Sequence, residues 1–308
     1  GKNIEELEAG SRVTVDKHKH DPLDFVLWKP AKENEPGWDS PWGYGRPGWH
    51  IECSAMSCAH LGANFDIHGG GMDLKFPHHE NEIAQACAAT GGSFAKYWLH
   101  NGFVNINEEK MSKSLGNFFT IREVLARYDA EVLRMFILST HYRSPLDFSD
   151  AALDTAKTTL DRLYTTRQRL DRINDNTPFN ELDFPPSFIQ AMNDDFNTPE
   201  ALAVLFDHGH TIHRALDQQD ADAKHVIAAF KAMTHHLGLA QQASETWFRG
   251  DDLLFSQNIE TKIKARNLAR KSQDFARADA IRAALLADGI VLEDSPDGTI
   301  WKHALERA

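Results

Sequence analysis

Between residues 65 and 89 the chain reads FDIHGGGMDLKFPHHENEIAQACAA, with three His, two Glu and two Asp around three consecutive Gly. Such a window offers nitrogen and oxygen donors for a metal, groups for proton transfer, or a polar surface. If the segment after Pro77 is helical, His78 and Glu82 lie four apart on one face, and His79 lies on another. An i,i+4 His/Glu pair makes half a zinc site, because Zn²⁺ takes N, S and O ligands. Cys53, in the helical pattern GWHIECSAM, adds a third donor. Cys58 is five residues further on, a poor match for the same helix face. Cys58 and Cys87 therefore read as small buried hydrophobes. The metalloprotease pattern HExxH is absent.

Two further strings carry chemistry. HGGGMD (68–73) follows a strand pattern, and glycines there let a ligand approach the backbone. Asp73 just beyond is placed to hold a ribose hydroxyl; a plain tight turn is the alternative. EEKMSKSLGN (108–117) sets Lys110 and Lys113 three apart among small polar residues. Lysine is a compact cation with three donors, suited to a loop that clamps phosphates.

The elements that must position these groups follow from periodicity. Residues 25–28, 64–69 and 102–106 read as strands. Helical patterns at 49–62 and 78–90 alternate with them, which predicts a mostly parallel sheet. From 119 the pattern turns helical: 120–140, 150–173, a helix opening at Thr198 with Pro199 in its first position, and 221–238. This middle region reads as an antiparallel helical bundle. Residues 239–252 read as a linker with an exposed Trp247. Helices at 257–272 and 273–288 then precede two short strand runs around an Asp-Gly turn.

Lysine and arginine number 33 against 45 Asp and Glu, a net charge of −12, which argues against a protein that coats nucleic acid non-specifically. A local basic run remains in KIKARNLARK (262–271), where a solvated helix face is the simpler reading. No apolar run is long enough to span a membrane, and three Cys are too few for a disulfide framework. A cytoplasmic location is the expectation.

Together, GRPGWHIECSAM, FDIHGGGMDLKFPHHENEIAQ, KMSKSLGNFFT and ADGIVLEDSPDGTIWK resemble the cysteinyl-tRNA synthetase family of class I aminoacyl-tRNA synthetases over essentially the whole chain. The resemblance implies the second half of a Rossmann-like catalytic domain (1–118), then a connecting stem-contact segment (119–155). A helical bundle (156–242) and a small C-terminal α/β anticodon-binding domain (243–308) complete it. It implies ATP-dependent attachment of L-cysteine to tRNA(Cys) through cysteinyl-adenylate, with Mg²⁺ accompanying ATP, in a monomer.

The family's zinc is held by two Cys, a His and a Glu, of which three map to Cys53, His78 and Glu82. There it takes the thiolate of the substrate, a discrimination that a hydrophobic pocket supplies only weakly. Trp49 and His68 map to the amino-acid pocket, Gly70 and Asp73 to the adenosine, and Lys110 and Lys113 to the phosphates. Arg270, Phe275, Asp279 and Asp294 map to the anticodon-facing surface; for Phe275 core packing is an equal alternative. The HIGH tetrapeptide and the second zinc cysteine are absent from these 308 residues. The expectation is a chain that starts within the catalytic domain and does not activate cysteine alone. The rivals are a cysteine ligase acting on an amino sugar, a non-catalytic RNA-binding remnant, and a zinc hydrolase with Glu80 as base.

Overall fold

The computed structural model describes residues 19–21, 24–106, 109–110, 120–220, 223–249, 253–295 and 298–303. The chain divides into two compact units, Gly1–Phe103 and Val104–Ala308.

In the first unit, β1 (Trp28–Pro30) and β2 (Gly45–Pro47) form an antiparallel pair. Helix α1 (Trp49–Leu61) follows Gly48 directly. Strand β3 (Asn64–Gly71) is parallel to β4 (Phe94–Asn101), and the crossover holds a π-helical turn (Lys75–His79) and α2 (Glu80–Thr90). A parallel pair is thus present, but its second strand, 94–101, precedes the run 102–106 read as a strand, and the runs 25–28 and 102–106 lead into separate small sheets. Glu80 and Glu82 sit in the first turn of α2, where the helix dipole favours negative charge, and Gly91 ends it in the left-handed conformation. The small core is Ala86, Phe94 and Ala95, with Cys58 and Cys87 packed against it as apolar filler. The first strand begins at Trp28, where the apolar run 25–28 ends.

The second unit opens with β5 (Val104–Ile106), paired antiparallel to β6 (Glu109–Lys110) and parallel to β7 (Leu146–Phe148). The continuous helical pattern over 120–140 is two helices, α3 (Ile121–Leu125) and α4 (Ala130–Leu138). The break is chemical: the Asp129 side chain accepts from the Glu131 N–H and caps a new helix. Helix α5 (Asp150–Arg172) packs on α4 and on α7 (Thr198–Asp217), which in turn packs on α6 (Pro186–Asn193) and α8 (Ala223–Leu237). Their core includes Met135, Leu160, Leu205, Ile212 and Met233, all fully buried.

Two local readings change. Asn197 caps α7, accepting from the Glu200 N–H, and Thr198 is the first helical residue. Asn197→Ala is expected to lower stability by about 1 kcal/mol, measured as a shift in the urea midpoint of the second unit. The expected linker contains α9 (Ser244–Arg249). Its Trp247 is half-buried, stacked on Tyr164 at 4.2 Å between ring centroids, and donates to Asp161 at 2.7 Å. The long-range partner on α5 turns an apparent linker into packed structure.

Helices α10 (Leu253–Lys271) and α11 (Phe275–Ala287) and the antiparallel pair β8 (Ile290–Ser295) and β9 (Gly298–His303) enclose a second core of Ile259, Ile263, Leu285, Ile290, Leu292 and Trp301. The architecture is a small parallel α/β unit, a helical bundle and a C-terminal α/β piece. No described helix is long and apolar enough to cross a membrane.

Candidate functional site

The polar centre of the first unit lies where α1 and α2 face the end of β3. Cys53 comes from the second turn of α1, His78 from the π-helical turn and Glu82 from the first turn of α2. Their donor atoms all lie within 4.8 Å of one another. His78 Nε2 is 2.6 Å from Glu82 Oε1, as the i,i+4 spacing requires, and His68 Nε2 is 3.1 Å from Glu82 Oε2. Glu82 is fully buried, and neither oxygen has a hydrogen bond of good geometry among the described residues. The imidazole nitrogens are close but imperfectly aligned. A carboxylate held dry in this way either takes a proton or takes a cation. Burial pushes its pKa up to about 7. Burial, then the charges of Glu82 and Glu52, raise the Cys53 thiol.

A ring of imidazoles and aromatics supports this centre. His50 Nδ1 meets His78 Nδ1 at 2.8 Å, which orients the His78 ring with Nε2 toward Glu82. Trp49, the exposed first residue of α1, stacks on His78 at 4.4 Å and 21°. His68 lies against Phe94, Trp98 and His79. His79 is buried, not solvent-facing, and bonds His100 at 2.8 Å between Nδ1 and Nε2. Glu80 is exposed and away from the three-donor group. His50 and His100 were not singled out by spacing. His50 is a neighbour of Trp49 in sequence, but His100 reaches the centre only through the β3–β4 register, Gly70 opposite His100.

The glycines act as spaces. A Cβ on Gly70 would lie 2.9 Å from His79 Cε1, and one on Gly71 would lie 2.5 Å from Asp73 Oδ1. The HGGG run therefore lets His79 and Asp73 close over the strand end.

The cluster's acid behaviour has two opposed parts. His50, His68, His78 and His79 are all depressed by burial, His79 to about 4 from 6.5. The unfolded chain therefore takes up these protons first. Their contribution to metal-free stability is full above 6.5 and is lost as pH falls toward 4. Glu82, raised from 4.5 to about 7, contributes below 4.5 and loses its contribution as pH rises through 7. Glu82→Gln removes the opposing part. It is expected to steepen the loss of amide protection in α2 and β4 between pH 6.5 and 4.5, read by hydrogen exchange with chelator present.

Lys110 lies in β6 opposite Asn105. Lys113 and the rest of KMSKS lie outside the described residues. In the second unit, Arg270, Phe275 and Asp279 are exposed at the α10–α11 turn. Phe275 is 60% exposed, which leaves it out of the core and free to stack. Asp294 on β8 accepts from Arg270 at 2.9 Å and from Arg266 at 2.6 Å, and its carboxyl lies well below the usual range, chiefly through Arg266.

Residues 1–158 match the catalytic domain of class I (C) tRNA synthetases, and residues 187–241 match the DALR domain. The cysteine--tRNA ligase of Methylococcus capsulatus is 57% identical over 98% of this chain and 66% of its own length. That of Thioalkalivibrio sulfidiphilus is 55% identical over the same shares. That of Nitrosococcus oceani is 51% identical over 98% of this chain and 68% of its own. The chain spans about two thirds of the length of these relatives.

Proposed function

Since the chain belongs to the class I (C) tRNA synthetase family, we propose that it serves the ATP-dependent attachment of L-cysteine to tRNA(Cys) through cysteinyl-adenylate. The observation that carries this reading is the close donor group of the part-buried Cys53 with the buried His78 and Glu82. Soft sulfur, imidazole and a carboxylate without a good hydrogen bond together suit zinc better than Mg²⁺ or Ca²⁺, which take oxygen. These three residues would hold the ion, which when bound supplies a Lewis acid that takes a thiolate in preference to a hydroxyl.

The other roles belong to the chain's own groups. Trp49 and His68 flank the donor group and bound the amino-acid pocket. His50, by fixing the ring of His78, keeps Nε2 on the ligand side. Gly70 and Asp73 face the adenosine and ribose, and Lys110 with Lys113 neutralises the phosphates, with Mg²⁺, as the cysteine carboxylate attacks the α-phosphorus. Arg270, Phe275 and Asp279 meet the anticodon, where an exposed aromatic and an arginine suit unpaired bases, and Asp294 belongs to the same surface behind Arg270. The catalytic part is placed at 1–118, the stem-contact segment at 119–155, the bundle at 156–242 and the anticodon-binding part at 243–308. The match of 187–241 to the DALR domain supports that bundle. The protein would work in the cytoplasm as a monomer.

Cobalt substitution tests the reading. One equivalent of Co²⁺ is expected to show a thiolate charge-transfer band that is lost in Cys53→Ser. Cysteine, and not serine, is expected to drive ATP–pyrophosphate exchange by the full-length protein. Absence of any metal binding would overturn the proposal.

A further inference from the structure

Both oxygens of Asp294 are already in use. Arg266 donates from Nη1 to Oδ1 at 2.9 Å and from Nη2 to Oδ2 at 2.6 Å. Arg270 Nη1 donates to Oδ2 at 2.9 Å, and Thr299, opposite Asp294 in the β8–β9 register, donates to Oδ1 at 2.7 Å. A carboxylate has about four acceptor positions, so these four donors leave Asp294 no capacity for a base. Arg266 is 3% exposed and cannot reach RNA either. Its Nη1 also bonds Asn267 at 3.2 Å.

Arg266 and Arg270 are four apart on one face of α10. The first is sealed beneath Asp294, and the second is exposed, its one hydrogen bond among the described residues going to that same carboxylate. The remaining N–H groups of Arg270 have no partner among the described residues. Buried fork, carboxylate and exposed fork form a line that runs from the α10–β8 seam to the surface. Such a line removes rotamer freedom from the exposed guanidinium before a ligand arrives, and that lowers the ordering cost of binding.

We infer that Arg266 is a positioning residue for RNA base discrimination: through Asp294 it sets the guanidinium of Arg270, and Asp294 acts on Arg270 and not on the RNA. This rests on the anticodon reading of the C-terminal part.

The test compares two RNA hairpins by fluorescence anisotropy, one carrying the anticodon loop of tRNA(Cys), the other with the three anticodon bases replaced. The wild-type chain is expected to prefer the first by about 10-fold or more, as for a forked contact to a base edge. Arg266→Lys keeps the charge and loses the fork. It is expected to bring the preference near unity, with unchanged affinity for the replaced loop and an unchanged circular dichroism spectrum. Asp294→Asn should give the same loss, and the double variant no more than either single. Should Arg266→Lys fail to fold, Thr299→Val takes its place; it removes one donor to Asp294 and should lower the preference about 3-fold.

Retained preference in these variants, equal weakening toward both hairpins, or additive effects in the double variant would overturn the inference. A wild-type chain that binds both hairpins alike overturns the anticodon reading, and the inference with it.

Discussion

His78→Ala is expected to abolish stoichiometric zinc binding, with affinity falling by more than about 100-fold. Loss of an outer partner costs about 10–100-fold, so loss of a direct ligand costs more. His78 supplies a donor whose orientation is fixed from behind, by His50 at 2.8 Å. Without it, Cys53 and Glu82 are what remains of this group, and the second group of close donors, His68, His79 and Glu82, contains no thiolate. The same titration has a pH dependence of known sign. Zinc requires the thiolate and the carboxylate, and the metal-free protein holds protons on both: Cys53 is raised by burial, and Glu82 titrates at about 7. Apparent affinity must therefore rise with pH between 6 and 8, with protons released on binding. Glu80→Gln is the control, since Glu80 is exposed and outside the donor group. Undiminished zinc binding by His78→Ala, or dependence on Glu80, would dismiss this site and revive the hydrolase reading.

Glu131→Leu is expected to destabilise the second unit by about 3–5 kcal/mol, because it leaves three buried neutral donors without their carboxylate acceptor. Glu131 is buried on α4 and accepts three hydrogen bonds: from the Ala240 N–H at 2.6 Å, the Gln241 N–H at 3.0 Å and the Tyr164 hydroxyl at 3.0 Å. It thus ties α4 to α5 and to the chain leaving α8. Leucine fills the volume but leaves two backbone donors and a phenol unpaired, each costing about 1–3 kcal/mol. Glu131→Gln keeps one acceptor and should cost less. Burial and then the Glu131 charge also raise the Tyr164 phenol, so the hydroxyl stays a donor through the working pH range. Trp247, stacked on Tyr164, gives a fluorescence readout in urea. A loss under about 1 kcal/mol would show that the network is replaceable.

Several features of the site were legible because their spacing is local. The i,i+4 step from His78 to Glu82 lies within one turn, and chemistry alone nominated the pair. Strand β3 and the helix after it followed from the alternation of strand and helix patterns, while the parallel partner β4 was not among the strand runs read; the C-terminal hairpin followed from two short strand runs, with Gly298 the first residue of β9. The glycines of HGGGMD were legible as a close-approach site, though they admit His79 and Asp73, which spacing could not show.

Four outcomes needed the tertiary structure, each for the same reason. His100 joins the imidazole cluster through strand register, 21 residues from its partner. Glu131 meets Ala240 across 109 residues. Trp247 becomes structure only because α5 presents Tyr164 to it. Asp294, legible as a surface acid, is saturated by Arg266 and Arg270 from a helix 28 and 24 residues away and by Thr299 from the paired strand. Sequence determines which groups can act and which neighbours share a helix face, because those depend on covalent spacing. Whether a carboxylate ends dry, paired or free depends on which distant backbone and side-chain donors packing brings within 3 Å, and only the fold decides that.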